Sequence, residues 1–267
     1  MKQTISTEKT FTDQISTKPK RICMLDELRG IAVIAMILYH AIYSMAFIGN
    51  FPFAYNWLLA VLPYQPLIPI TFISICGIFS SFSRNNLKNG IKLFSIAIVI
   101  TIVTAVVIPS NLIVFGILHF LGCGLIIVAL LKTLLDKVSS TKVTAIIIIA
   151  CIVAYGVCFN IPKGHIGVYP NFYILLPQNL YSCYPLSILG FPSKDFYSAD
   201  YFPIFPHILL FIAGVFLGKH INKILLPDFA YKNHSKILGF IGKHALVIYI
   251  AHQPLIIGFI YVVKMFL

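Results

Sequence analysis

Charged residues are scarce in this chain of 267 residues, of which they make up only 10%. Soluble globular domains carry about 25% charged residues and roughly 45–50% apolar ones. Here the hydrophobic fraction is 59%, and it comes in long runs. This composition excludes a soluble enzyme, a secreted disulfide scaffold and a DNA-binding domain. It predicts an integral membrane protein.

Acidic residues are also few, eight against 20 lysines and arginines, which gives a formal net charge of +12. The six cysteines mostly lie inside apolar runs, and none shows the close spacing of a metal knuckle. We therefore predict no disulfide and no metal site. The first twenty residues contain no apolar run, so we expect no cleavable signal peptide.

Seven apolar runs predict an all-α, polytopic bundle of about seven transmembrane helices. The runs cover residues 30–48, 66–83, 91–109, 113–131, 143–161, 204–221 and 245–263. Basic residues cluster before the first run and in every second loop after it. By the positive-inside rule this places the N-terminus in the cytoplasm and the C-terminus outside. The positive charge is then explained by topology and by contact with anionic lipids, not by nucleic acid.

We expect a cytoplasmic tail over residues 1–24 and a single membrane domain over residues 25–267, in the cell membrane. The longest outer segment, residues 162–203, contains six prolines and six tyrosines. Because each proline removes a backbone donor, this segment is not expected to form a regular span. It is interpreted as an interfacial or partly re-entrant lid over the outer mouth. The alternative is a belt of aromatic side chains at the lipid headgroups.

Ionisable side chains at membrane depth indicate function, and the first run has two. Arg29 and His40 are 11 positions apart, which places them within roughly 20° on one helix face and about 16 Å apart along the axis. Asp26 is three residues before Arg29, and we expect it to pair with Arg29 or to cap the helix. We expect Arg29 and His40 to line one tunnel. The alternatives are a positive-inside anchor for Arg29 and a histidine bonded to a neighbouring helix for His40.

Further candidates reach a similar depth in other runs. His119 lies in the fourth run and His252 in the seventh, so these two histidines and His40 could line one cavity open to the outside. Gln253 follows His252 and precedes a proline that kinks the helix and frees a carbonyl group. Asp200 flanks the start of the sixth run at the outer mouth. A histidine can take a proton from a hydroxyl or an amine near neutral pH.

Three cations are expected at the cytoplasmic mouth: Arg29, Arg84 and Lys88. Together with the outer histidines they suit a polyanionic donor bound inside and an acceptor bound outside. For Arg84 and Lys88, the alternative is an ordinary solvated turn. The chain has no glycine-rich phosphate loop and no nucleophile elbow.

The sequence LDELRGIA at residues 25–32, followed by His40, resembles the opening helix of the transmembrane acyltransferase superfamily. Arg, ten residues and His is the signature of its acyltransferase family 3 branch. The chain is more similar to small bacterial proteins that resemble the catalytic domain of heparan-α-glucosaminide N-acetyltransferase. This resemblance covers nearly all of the chain from residue 21. The supporting stretches are residues 72–77, 82–88, 115–120, 198–203 and 249–254.

The resemblance implies transfer of an acyl group, usually acetyl, from cytoplasmic acetyl-CoA or another acyl-CoA to a sugar at the outer face. It assigns Arg29 and His40 to the Arg and His of the superfamily. The heparan enzymes have Asn where His40 stands and place their catalytic histidine in the following outer loop. Residues 49–65 here contain no histidine. The heparan substrate and its residue roles therefore do not transfer directly to this chain.

The predicted function is that of an O- or N-acyltransferase that acts on a saccharide or glycolipid and needs no metal. Arg29, Arg84 and Lys88 would hold the phosphates of CoA, with Asp26 beside Arg29. His40 would act as general base or carry the acyl group. His119, His252, Gln253 and Asp200 would position the acceptor or orient His40.

Two other functions fit the same residues. One is a proton-coupled transporter or flippase for a small or lipid-linked molecule, with the histidines as a proton relay. Against it, the sequence shows no paired interrupted helices in two related halves. The other is a structural membrane protein without catalysis.

Overall fold

The computed structural model describes residues 21–266, except positions 169, 222, 224 and 225. The helices in this part of the chain are α1 (Cys23–Phe47), α2 (Pro52–Val61), α3 (Leu67–Phe82), α4 (Asn86–Val107), α5 (Ile117–Leu130), α6 (Lys132–Asp136), α7 (Thr141–Cys158), α8 (Ile204–Ile221), α9 (Lys236–Lys243) and α10 (Ala245–Met265). Two strands, β1 (His165–Val168) and β2 (Phe172–Leu175), form an antiparallel hairpin. Short 3₁₀ helices occupy Leu62–Tyr64, Pro109–Asn111, Ile161–Lys163, Gln178–Tyr181, Tyr184–Leu189 and Asp228–Tyr231.

The prediction of an all-α polytopic membrane protein is confirmed. Each of the seven predicted runs contains a helix: α1, α3, α4, α5, α7, α8 and α10. In the described residues, five helices are long and apolar enough to cross a membrane, and a sixth span is possible if α2 and α3 count as one span bent by 44°. Helix α5 has 14 residues, about 21 Å at 1.5 Å per residue, and is shorter than a usual span.

Two contacts fix the direction in which the helices run. Lys264 Nζ, near the end of α10, donates a hydrogen bond to the carbonyl of Ile48, just past the end of α1 (2.9 Å). Near the start of α1, the Arg29 guanidinium lies 4.2 Å from the ring centroid of Phe79, near the end of α3. Helices α1 and α10 are therefore parallel, and the first turns of α1 and the end of α10 lie on opposite sides of the bundle. Which of these sides faces the cytoplasm stays a prediction.

Glycines allow the central helices to cross closely. A Cβ atom on Gly77 of α3 would lie against the carbonyl oxygen of Phe211 and 3.1 Å from the Cα of Gly214, both in α8. Small residues at helix crossings let backbones approach each other in membrane proteins. The buried core lies around this crossing, between α3, α5, α7 and α8. It includes Ile73, Phe115, Phe120, Leu121, Tyr155, Leu210, Phe211 and Val215.

Helix α9 is fastened to the first turns of α1. The carboxylate of Glu27 accepts hydrogen bonds from the backbone N–H groups of His234 (2.6 Å) and Ser235 (2.9 Å), at the start of α9. A Cβ on Gly30 would meet the carbonyl of Leu238, so the two backbones are in direct contact. Helix α9 thus packs against the first turns of α1, and α10 packs against the second half of α1, where His40 lies.

The outer segment of residues 162–203 forms the β-hairpin and three of the 3₁₀ helices; its role as a lid stays a prediction. Its last residues are bonded to the chain before α5. The N–H of Ala199 donates to the carbonyl of Leu112 (2.8 Å), and the N–H of Phe202 donates to that of Phe115 (2.9 Å). These bonds bring Asp200 to the first turn of α5.

Candidate active site

The centre of the site is a pair of histidines from the first and last helices. The ring of His40 on α1 lies against the ring of His252 on α10, with centroids 5.0 Å apart and planes inclined by 56°. The ring of Tyr39, the preceding residue of α1, also contacts His40, with a centroid distance of 5.5 Å. The structure thus brings together two of the predicted site residues that are 212 positions apart in the sequence.

The tautomer of His252 follows from its hydrogen bond. Its Nδ1 donates to the carbonyl oxygen of Tyr249, one turn earlier in α10. Because a carbonyl oxygen can only accept, Nδ1 must carry the ring proton, and Nε2 keeps its lone pair. The residue is only 8% exposed, and Nε2 has no hydrogen-bond partner in the part of the chain that the structure describes. His252 therefore presents a buried, unoccupied base.

Gln253, the next residue of α10, adds a second buried acceptor. Its Nε2 donates a hydrogen bond to the Oγ of Ser44 (3.1 Å), which lies one turn beyond His40 on α1 and is fully buried. The other end of the carboxamide, Oε1, is buried and has no partner among the described residues. Buried polar atoms are nearly always hydrogen-bonded in native proteins, so unpartnered acceptors indicate a place for a ligand or water.

Asp200 lies at the junction of the outer segment, α5 and α10. Its Oδ2 accepts hydrogen bonds from the N–H of Ile117, at the start of α5 (3.0 Å), and from the hydroxyl of Tyr249 (3.2 Å). Burial raises the pKa of Asp200 above its ordinary value, although both hydrogen bonds act in the opposite direction. Tyr249 also holds His252, so Asp200 is linked to the histidine pair through one residue.

His119 belongs to a different set of contacts. The N–H of Gly116 donates to its Nδ1 (3.2 Å), and its Nε2 lies 3.2 Å from the Oγ1 of Thr101 on α4. Both ring nitrogens are therefore engaged. Its ring contacts Phe94 and Phe115 and not the other two histidines. The expected cavity lined by all three histidines is not what the structure shows, because His119 fastens the start of α5 to α4.

The expected pairing of Asp26 with Arg29 is wrong. Asp26 is 1% exposed and accepts two hydrogen bonds from Arg21, Nε to Oδ2 (2.6 Å) and Nη2 to Oδ1 (3.1 Å). The hydrogen bond to Asp26 raises the pKa of Arg21. Asp26 does not cap α1 either, since the helix begins at Cys23 with Ile22 at the N-cap position. The helix starts earlier than predicted, so the carboxylate faces the segment that precedes it.

The side chain of Arg29 contacts an aromatic ring and forms no ion pair in the described structure. Its partly buried guanidinium stacks on Phe79, and no carboxylate within the described ranges pairs with it. Arg84 and Lys88 are exposed, in the turn after α3 and the first turns of α4. These positions put them on the same side of the bundle as Arg29. On this side of the bundle, the guanidinium of Arg29 can therefore bind an anion.

The predicted open tunnel between Arg29 and His40 is absent along their shared face. Val33 and Met36 lie between them on this face, with 0% and 5% exposure, so the face is filled by packed side chains. A separate groove of about 460 Å³ runs beside it, between α1 and the bend from α2 to α3. Its lining on α1 extends from Leu28 to Ile42, which covers the heights of both Arg29 and His40.

Sequence reasoning missed Ser44 and Tyr249. Ser44 is four residues after His40, and Tyr249 is three residues before His252, so both share a helix face with a predicted histidine. This spacing is the signal that could have found them. The structure also gives no group of three His, Cys, Asp or Glu close enough to hold a metal ion, within the residues it describes.

The fold and the site define a polytopic helical membrane protein with a histidine pair between its first and last helices. The model of the family described as "Heparan-alpha-glucosaminide N-acetyltransferase, catalytic" matches residues 21–254, and the chain belongs to this family. It is a membrane acetyltransferase-type family. Searches of curated proteins and of solved structures return no match.

Proposed function

We propose that this protein is an acyltransferase of the cell membrane. It moves an acyl group, acetyl in the simplest case, from cytoplasmic acyl-CoA to a hydroxyl or amine of a saccharide or glycolipid at the outer face. Family membership supports the reaction class. The observation that carries the proposal is the contact between His40 and His252, in which the buried Nε2 of His252 has no partner in the described chain.

In the proposed reaction His40 acts as general base. It takes the proton from the O–H or N–H of the acceptor, whose oxygen or nitrogen then attacks the thioester carbonyl carbon. A new C–O or C–N bond forms while the C–S bond breaks. The CoA sulfur leaves as thiolate and receives the proton from His40. His252 orients His40, because its Nε2 lone pair can accept a hydrogen bond from the second nitrogen of the His40 ring.

The donor is bound from the side that holds Arg29. Arg29, Arg84 and Lys88 supply positive charge for the phosphates of CoA, and a guanidinium suits a phosphate because it can donate two parallel hydrogen bonds. The shared face of Arg29 and His40 is closed, so the extended arm of the donor follows the groove beside it. Tyr39 lines this groove and contacts His40, which connects the route to the base.

The test uses purified protein in detergent, labelled acetyl-CoA, and glucosamine as a probe acceptor. His40→Ala should lower kcat by about 10²–10⁴-fold, the usual contribution of general acid–base catalysis, and His252→Ala should lower it by a smaller factor because His252 only orients His40. Arg29→Ala should raise KM for acetyl-CoA more than it lowers kcat. The matched control is His244→Ala, since His244 is exposed and, among the described residues, its ring bonds to the carbonyl of Phe240 in α9. Full turnover by His40→Ala would refute the proposal.

A further inference from the structure

We propose that α9 is an interfacial helix that binds anionic phospholipids at the end of the bundle where α1 begins. The net positive charge of the chain suits anionic lipids in general, but it does not identify a surface. The surface is the face of α9 that points away from α1. On this face Ile237 and Phe240 contact the acyl chains, and Lys236 and Lys243 contact the headgroups.

One face of α9 is closed against α1. A Cβ atom on Gly242 would meet the carbonyl oxygen of Asp26, and a Cβ on Gly30 would meet that of Leu238, so the two backbones touch. Gly239 and Gly242 are the buried residues of α9. Because glycines make this contact, the largest side chains of α9 are left on its other faces.

The free face of α9 is basic along one edge and apolar along the other. At 100° per residue, Lys236 and Lys243 lie within about 20° of each other around the helix. Phe240 and Ile237 lie about 40° and 100° from Lys236. Ile237 and Phe240 are 72% and 61% exposed, and both lysines are exposed. Large apolar residues with lysines beside them are typical of helices that lie in the membrane interface.

The position of α9 in the chain puts this face at the membrane boundary. Helix α10, which is long and apolar enough to cross a membrane, begins at Ala245, directly after α9 and His244. The start of α1, another helix of membrane length, lies against α9. The eight residues of α9 extend only about 12 Å at 1.5 Å per residue, so its exposed apolar side chains lie close to the hydrocarbon edge. The partner that this face meets is therefore the lipid surface.

The lysines select an anionic headgroup. Neither Lys236 nor Lys243 forms an ion pair in the part of the chain that the structure describes. Glu27, the acid that contacts the segment before α9, is bonded to two backbone N–H groups. The two lysines are about 10 Å apart along the helix axis, so each can meet a separate phosphate. A lysine near a membrane surface strengthens binding to anionic lipid by about fivefold.

The test places a fluorescent probe on this face. Trp57 is the only tryptophan of the chain, so the double variant Trp57→Phe and Phe240→Trp carries its single tryptophan on α9. The protein is reconstituted in nanodiscs of phosphatidylcholine and phosphatidylglycerol, with bromine on the acyl chains of one lipid or the other. Brominated lipid should quench the fluorescence, and brominated phosphatidylglycerol should quench it more strongly at equal content. In the wild type, Trp57 reports from residues 48–66, which carry no charge, and the two lipids should quench it equally.

Two pairs of substitutions separate this surface from the general charge of that end of the bundle. Lys236→Gln combined with Lys243→Gln should remove the preference for phosphatidylglycerol, a loss of about 25-fold in relative affinity if each lysine contributes fivefold. The matched control is Lys137→Gln combined with Lys142→Gln, two exposed lysines around the start of α7 on the same side of the bundle. The control should keep the preference.

Three results would overturn the inference. Absence of quenching by either lipid would mean that this face of α9 meets water or a protein partner. Equal quenching by the two lipids would exclude a selected headgroup. An equal loss of preference in the control pair would assign the effect to the overall charge of that end. These results leave the acyltransferase proposal untouched, because its test measures acetyl transfer.

Discussion

The carboxylate of Asp200 joins three parts of the molecule, and its replacement tests how the outer segment is held. In Asp200→Ala, the N–H of Ile117 and the hydroxyl of Tyr249 both lose their acceptor. In Asp200→Asn, one oxygen remains to accept both hydrogen bonds. The comparison of these two variants therefore measures the hydrogen bonds apart from the charge.

The magnitude follows from the two bonds. A buried group left without its partner costs about 1–3 kcal/mol, so with two such groups Asp200→Ala should be about 2–6 kcal/mol less stable than Asp200→Asn. For a chain of this size, each kcal/mol corresponds to roughly 2–4 °C in Tm, and the expected difference is on the order of 10 °C. The assay is thermal unfolding in detergent, followed by circular dichroism. Equal Tm values for the two variants would refute the reasoning.

The pH dependence of the wild type gives a second test of Asp200. Burial raises its pKa above the ordinary value of 3.8, so the folded state holds the proton more tightly than the unfolded state does. The stability that this proton contributes is fully present below the unfolded pKa and is lost as pH rises through the folded pKa. The wild type should thus be about as stable as Asp200→Asn at pH 3, below the unfolded pKa, and less stable than it at pH 8. The opposite trend would contradict the assignment.

Two further predictions concern the helix crossing and the groove beside α1. Gly77→Ala should destabilise the protein by about 1–3 kcal/mol, because its Cβ would meet the backbone of α8. The control is Gly156→Ala, whose Cβ meets nothing within 4 Å and which should be neutral or stabilising. Equal Tm shifts in the two variants would contradict this view of the crossing. Ala35→Phe should fill part of the groove beside α1 and raise KM for acetyl-CoA several-fold with little change in Tm; an unchanged KM would place the donor elsewhere.

The placement of the helices could be predicted from the sequence because apolar runs of membrane length report directly on burial in lipid. For example, the run predicted at 204–221 coincides with α8, and that at 245–263 differs from α10 only at its end. Helix α9 was missed because it is short and lies against the first turns of α1. Its position depends on Glu27, Gly30 and the chain from Asn233 to Ser235, which no local pattern connects.

The sequence by itself determined that this is a helical membrane protein, with histidines in the first and last spans and a cation near the start of α1. Only the tertiary structure decided which of these groups meet. It placed His40 against His252, paired Asp26 with Arg21, and placed His119 in a separate set of contacts. The physical reason is that spacing along one helix fixes a residue's face and height but not the neighbouring helix. The neighbour is chosen by packing between segments far apart in the chain.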